Sequence, residues 1–229
     1  MAPLNGIQLN SPTLGKAWFE LVQKTVQMGS AIQAGMAVSG DRTTDTECIE
    51  LLEVKVVFPA AAEMDAFIDV FADRGMMATM EKVFFTDGPN PLGHSYAKLM
   101  HGPDGRSDLE DVISLLRTEP VSKRAVVSFS VTGERKVPCI NTVQFLVRSG
   151  QLQTIYFSRG QDAFKKFYAD ALCLAKMARR VADALHLPAG TVTGFITSSH
   201  IYVADRPAID DFLKRGGQFL ENGQLKGAA

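Results

Sequence analysis

Apolar residues recur at three- and four-residue intervals between residues 13 and 28. Leu14, Trp18, Leu21, Val22 and Val26 fall on one stripe, which predicts an amphipathic helix with Ser11 or Thr13 available as its cap. Residues 29–47 are rich in Gly, Ser and Thr and read as a polar loop carrying Arg42. Leu52, Val54, Val56 and Phe58 then alternate with their neighbours and stop at Pro59, as a half-buried strand does. In residues 60–75, Met64, Phe67, Ile68 and Phe71 share a helical face that closes at Gly75, with Glu63 in the first turn.

The second half of the chain follows the same logic. Residues 84–96 are dense in Gly and Pro between aromatic ends, which predicts a loop, and loops of this kind often carry function. Ser107 caps a short helix bearing Leu109, Val112, Ile113 and Leu116, which stops before Pro120. A β-branched strand follows with Lys123 and Arg124 at its mouth, and residues 141–157 read as two strands hinged at Ser149 and Gly150. The longest helix is expected over 163–187, then a strand carrying His200 and Tyr202, and a closing helix begun by Pro207. Mixed helices and strands with a hairpin favour an α+β fold over a doubly wound parallel sheet. No repeat or linker interrupts residues 1–229, so one domain is expected.

Composition narrows the function. A formal net charge of −1 gives no basic field for wrapping a nucleic acid, yet local cations could hold a small phosphate. Cys48, Cys139 and Cys173 are odd in number and lack CxxC spacing, so neither a disulfide framework nor a metal site is indicated and a reducing cytoplasm is expected. No window approaches a membrane span. Neither GxGxxG nor GxxxxGK[ST] is present, which lowers the odds of a dinucleotide or P-loop enzyme. The richest chemistry lies in residues 137–170, where Cys139 leads into a strand, and Arg159, Asp162 and Asp170 follow on the next strand and helix. A thiol brought close to a cation and carboxylates is a plausible covalent site.

The string PC-x4-QF-x-V-x-x-G-x-L, then Arg159 and Asp162, the long helix and HIY at 200–202, resembles the thymidylate synthase family, with similarity running from about Gly93 to Tyr202. The resemblance implies a thymidylate synthase-like fold, a single domain with a mixed, largely antiparallel sheet flanked by helices. It also implies a pyrimidine nucleoside monophosphate substrate, 5,10-methylenetetrahydrofolate as co-substrate, no metal, and a homodimer with a shared phosphate site.

By the same resemblance, Cys139 is the nucleophile that adds to C6 of the base. Arg159 touches phosphate and cysteine, and its charge is expected to lower the thiol pKa. Asp162 holds the pterin, His200 and Tyr202 bind the sugar, and Tyr96 in GHSYAKL lies near the reacting base. Gln144 follows the cysteine at the family spacing. Arg42 resembles the arginine of the phosphate loop, and Lys123 and Arg124 the basic pair that reaches into the partner's site. Glu63 is the best-placed candidate for the family's glutamate, with Glu53 and Glu81 behind it.

Three departures from the pattern bear on the reaction. Asp170 stands where the methylating enzymes keep an asparagine that reads uracil. A carboxylate accepts from the exocyclic amine of cytosine, and aspartate here resembles the cytidylate and deoxycytidylate hydroxymethylases. Gly160 replaces a phosphate-binding serine and Lys123 an arginine, which makes the ribonucleotide CMP a candidate beside dCMP. The expected activity is hydroxymethylation of a cytidylate through hydration of an exocyclic methylene. The competing readings are a thymidylate synthase acting on dUMP and a noncatalytic nucleotide-binding homologue.

Overall fold

Among the described residues one sheet of eight strands organises the chain, with helices packed against it. The computed structural model describes residues 6–34, 46–60, 65–89, 95–101, 105–129 and 137–224. The strands are β1 (Ile7–Asn10), β2 (Ser30–Ala34), β3 (Thr46–Pro59), β4 (Val126–Ser128), β5 (Ile140–Arg148), β6 (Gln151–Ser158), β7 (Gln161–Asp162) and β8 (Ala189–Tyr202). Their order is β1-β3-β8-β6-β5-β4, with β2 on β3 and β7 on β8. β1 with β3, β6 with β8 and β7 with β8 are parallel, and the other pairs are antiparallel, so the sheet is mixed. The α+β expectation holds.

The helices are α1 (Leu14–Met28), α2 (Ala66–Phe71), α3 (Arg74–Phe85), α4 (Tyr96–Leu99), α5 (Asp108–Thr118), α6 (Phe167–Ala184) and α7 (Arg206–Gln224). Thr13 caps α1 by accepting from Lys16 N, and Asp65 ties the starts of two helices together by accepting from Gly15 N and Ile68 N. Trp18 sits against Tyr168, Phe67 and Phe212, and its indole N–H donates to Phe164 O at 3.1 Å, so this cluster joins α1, α2, α6 and α7. Each such ring contributes about 2–3 kcal/mol by leaving water.

Several expectations need correction. β1 and β2 arise where no strand was expected; β2 is recruited as an antiparallel partner of β3 from within the segment expected to be a polar loop. The helix expected over 60–75 starts later, because Asp65 is its cap, and it breaks at Asp73, whose carboxylate caps a new helix, α3, by accepting from Gly75 N and Met76 N. In β3, Val54, Val56 and Phe58 are buried but Leu52 is 38% exposed. Glu53, at φ 58°, interrupts the pleat and moves Leu52 to the opposite face, leaving Leu51 to enter the core. The hairpin at Ser149 and Gly150 forms as expected, with both residues left-handed (φ 51° and 73°), matching the twist of β5 and β6.

Candidate active site

β6 and β7 run one after the other along β8, and the break between them places the chemistry. Ser158 is the last residue of β6 paired to β8, opposite Ile196, and pairing resumes at Gln161 opposite Ser199 and Asp162 opposite His200. Arg159 and Gly160 lie between, outside the ladder but in unchanged register with β8. Across the other edge of β6, Ile140 pairs with Ser158, so Cys139 lies beside Arg159. Arg159 N donates to Cys139 O at 2.9 Å, and Ser158 Oγ donates to the same oxygen at 3.1 Å. The Arg159 guanidinium donates from Nε to Val137 O and Pro138 O at 3.1 Å and from Nη2 to Val137 O at 2.8 Å. The strand entrance carrying the thiol is thus braced from the Arg159 side through backbone carbonyls, and the half-buried Cys139 side chain takes no part in these bonds.

Tyr96 approaches from α4. It is 2% exposed, packs on Phe84 and Phe129, and accepts a hydrogen bond from Ile140 N at 3.2 Å. Burial, then the Asp170 charge, hold its phenol well above the ordinary tyrosine range. On the β8 side the His200 and Tyr202 rings stand edge to face at 5.5 Å. The buried Asp162 accepts from Phe164 N and Lys165 N through Oδ1, which turns the chain into α6. Burial raises the Asp162 carboxyl, while the Lys165 amide, His200 and Lys166 pull it down.

The expectation that Arg159 lowers the Cys139 pKa holds in direction but not in outcome. Burial is the largest influence and raises the thiol, Asp170 raises it further, and Arg159 and Lys166 only partly oppose them. The free thiol therefore rests protonated at neutral pH.

Asp170 lies in the first turn of α6 and is 5% exposed. Its Oδ2 accepts from Gln161 Nε2 at 2.8 Å, whereas Oδ1 is buried with no hydrogen-bond partner. Desolvation pushes its carboxyl up to about 6, against the Gln161 bond and Lys166, which pull it down. A carboxyl raised in the folded state takes up its proton at higher pH than in the unfolded chain, so stability falls as pH rises from about 4 through about 6 and then levels off. Asp170→Asn removes that dependence. The variant is expected to be the more stable above pH 6 by about 3 kcal/mol at most, with the advantage shrinking towards pH 4, as checked by thermal unfolding of both proteins across this range.

Other expected site residues lie elsewhere. Arg42 and Glu63 fall outside the described residues. Glu53 sits at the interruption in β3 and lines an open cavity on the outward face of the sheet, and Glu81 on α3 is exposed and ion-paired with Lys176, so neither stands at the thiol. Gln144 faces β4 and donates to Lys123 O at 2.8 Å, five positions or roughly 16 Å along the strand from Cys139. Within one protomer it supports the basic turn rather than the thiol. Lys123 and Arg124 are exposed at that same distant end, with Arg124 bonded to Glu119 at 2.7 and 2.9 Å. Gly160 is not forced by packing, since a Cβ there would lie 3.9 Å from His200 Cε1, an ordinary contact.

Two residues near the thiol were missed in the sequence. Gln161, 1% exposed, holds Asp170, and the half-buried Lys166 precedes α6 and bears electrostatically on Cys139, Asp162 and Asp170. A polar side chain between Gly160 and the Asp162 turn was the available signal for the first, and a lysine one turn before Asp170 for the second. Among the described residues no group of three His, Cys, Asp or Glu side chains could hold a metal ion, and no helix is long and apolar enough to cross a membrane.

The chain belongs to the thymidylate synthase family of one-carbon transferases: the family's model, described as thymidylate synthase, matches residues 77–226. The family uses methylenetetrahydrofolate as co-substrate, binds nucleotide and folate, and is usually dimeric. Over 229 aligned residues, 91% of this chain and 99% of the relative, the sequence is 23% identical to a protein of Methanothermobacter marburgensis named "Putative thymidylate synthase". It is 29% identical over 115 residues to the thymidylate synthase of Mycoplasma pneumoniae, a match covering 48% of this chain and 40% of that one. The fold superposes on thermostable thymidylate synthase A from Bacillus subtilis with a TM-score of 0.67 at 12% identity, covering 91% of this chain and 84% of that one.

Proposed function

We propose that the chain is a cytidylate 5-hydroxymethyltransferase acting on CMP or dCMP within a single domain spanning residues 1–229. The observation that carries this reading is the buried Asp170, whose Oδ1 has no partner. An unpaired buried acceptor is costly unless a ligand supplies its donor. The exocyclic amine of cytosine is such a donor, whereas uracil offers an oxygen at that position.

The chain's groups then divide the work. Cys139 Sγ bonds to C6 and pushes electrons to C5, which bonds to the one-carbon unit as the first of its two folate nitrogens leaves. Loss of the C5 proton then expels the second nitrogen, releasing tetrahydrofolate and giving an exocyclic methylene; water adds its hydroxyl there and gives up a proton, the electrons return through C5 to expel Sγ from C6, and 5-hydroxymethylcytosine results. The amine's hydrogen bond partly offsets the Asp170 charge that raises the Cys139 pKa, so the matching base favours the thiolate. Asp162, fixed through Oδ1, suits a donor edge of the pterin, and His200 and Tyr202 suit the sugar hydroxyls. Methylenetetrahydrofolate supplies the one-carbon unit. Spent cofactor and product test the reading together: hydroxymethylation leaves tetrahydrofolate and a hydroxymethylated nucleotide, whereas dihydrofolate with a methylated nucleotide would overturn it.

The homodimer is proposed on the outward sheet face. Phe157 on β6 and Phe195 on β8 pair directly, are 42% and 44% exposed, and border an open cavity of about 380 Å³. Two aromatics and Leu52 on one sheet face suit a second copy of the chain, which would bring Lys123 and Arg124 of each protomer to the other's phosphate site. Phe195→Asp is expected to convert a dimer into a monomer in sedimentation, with loss of activity; a wild-type monomer at assay concentration would refute the shared site.

A further inference from the structure

Beside Asp170 a second buried acceptor without a partner lies on Gln161. Its side chain is buried on β7, its Nε2 is committed to Asp170 Oδ2 at 2.8 Å, and its Oε1 is left without a hydrogen-bond partner, as is Asp170 Oδ1. The amide cannot relieve this by turning over, because an ionised carboxylate only accepts, and a turned amide would set oxygen against oxygen. Asp170 therefore fixes the orientation of Gln161, and each of the two groups joined by that bond keeps one unfilled acceptor. An exocyclic amine carries two N–H donors.

We propose that Gln161 is a specificity-determining residue, with Oε1 accepting one hydrogen of the cytosine amine while Asp170 Oδ1 accepts the other. The inference rests on the cytidylate reading and deepens it. It makes selection two-sided, since an O4 carbonyl would face two acceptors with no free donor, Nε2 being spent on Asp170. Gln161 also lowers the Asp170 pKa through its bond.

The test is Gln161→Met, which keeps the volume and removes donor and acceptor, with Gln161→Asn as a second variant that withdraws the amide by one methylene. The ratio of kcat/KM for CMP to that for dUMP, read by tritium release from C5, is expected to fall by about 10- to 100-fold in both. The acid limb of the CMP profile is expected to move upward in Gln161→Met, because the bond that lowers the Asp170 pKa is lost. Circular dichroism identifies the variants that fold; if Gln161→Met does not, Gln161→Asn carries the ratio test. A folded variant with an unchanged ratio overturns the assignment of Gln161 while wild-type preference for CMP keeps the base assignment standing. Wild-type preference for dUMP defeats the base assignment itself, and the Gln161 inference with it.

Discussion

Cys139→Ser is expected to abolish tritium release from C5 of the nucleotide, lowering it by roughly 10⁴-fold or more, the scale on which enzymes lose rate when a covalent nucleophile is removed. The loss should be chemical rather than structural. The hydrogen bonds that brace this position, from Arg159 N and Ser158 Oγ, end on the Cys139 backbone oxygen, which serine retains. The melting temperature should therefore barely change. Serine keeps the geometry but cannot supply a thiolate. Retained exchange in the serine variant would rule out addition of Cys139 to C6.

The hairpin, the alternation of Val54, Val56 and Phe58, and the order of Cys139, Arg159, Asp162, His200 and Tyr202 were legible because each depends on local spacing or a short motif. The misses have a common cause in tertiary override. β2 has no apolar pattern, and only β3 makes it a strand. Glu53 turns Leu52 outward through a backbone angle that the alternation of side chains does not encode. The resting state of Cys139 depends on how deeply the thiol is buried, which no motif carries, so the nearby arginine was overweighted. Gln161 escaped notice because its importance is relational: it matters through a bond to a residue nine positions on, around the turn that Asp162 makes into α6.

Asp170→Asn is expected to shift the CMP to dUMP ratio of kcat/KM by roughly 10³-fold towards uracil, equivalent to about 4 kcal/mol from two contacts that change sign at 1–3 kcal/mol each. An asparagine can donate to O4 and accept from N3–H. The change also frees Gln161, because an asparagine amide at 170 can donate to Gln161 Oε1 and let its nitrogen face the base. The same substitution removes a buried carboxylate, so specificity for cytosine should be lost as stability above pH 6 rises. This pairing of effects is expected where a carboxylate is kept in the interior for its ligand rather than for the fold. Parallel kinetics and thermal unfolding of the single variant check both, and a variant that is stabilised without a change of base preference would place Asp170 outside base recognition.

The most direct measurement offers the wild-type protein CMP, dCMP and dUMP, each tritiated at C5, with methylenetetrahydrofolate, and follows release of tritium to water. Release from CMP or dCMP, well above that from dUMP, is the predicted result. Release from dUMP alone would contradict the assignment of Asp170 to the cytosine amine.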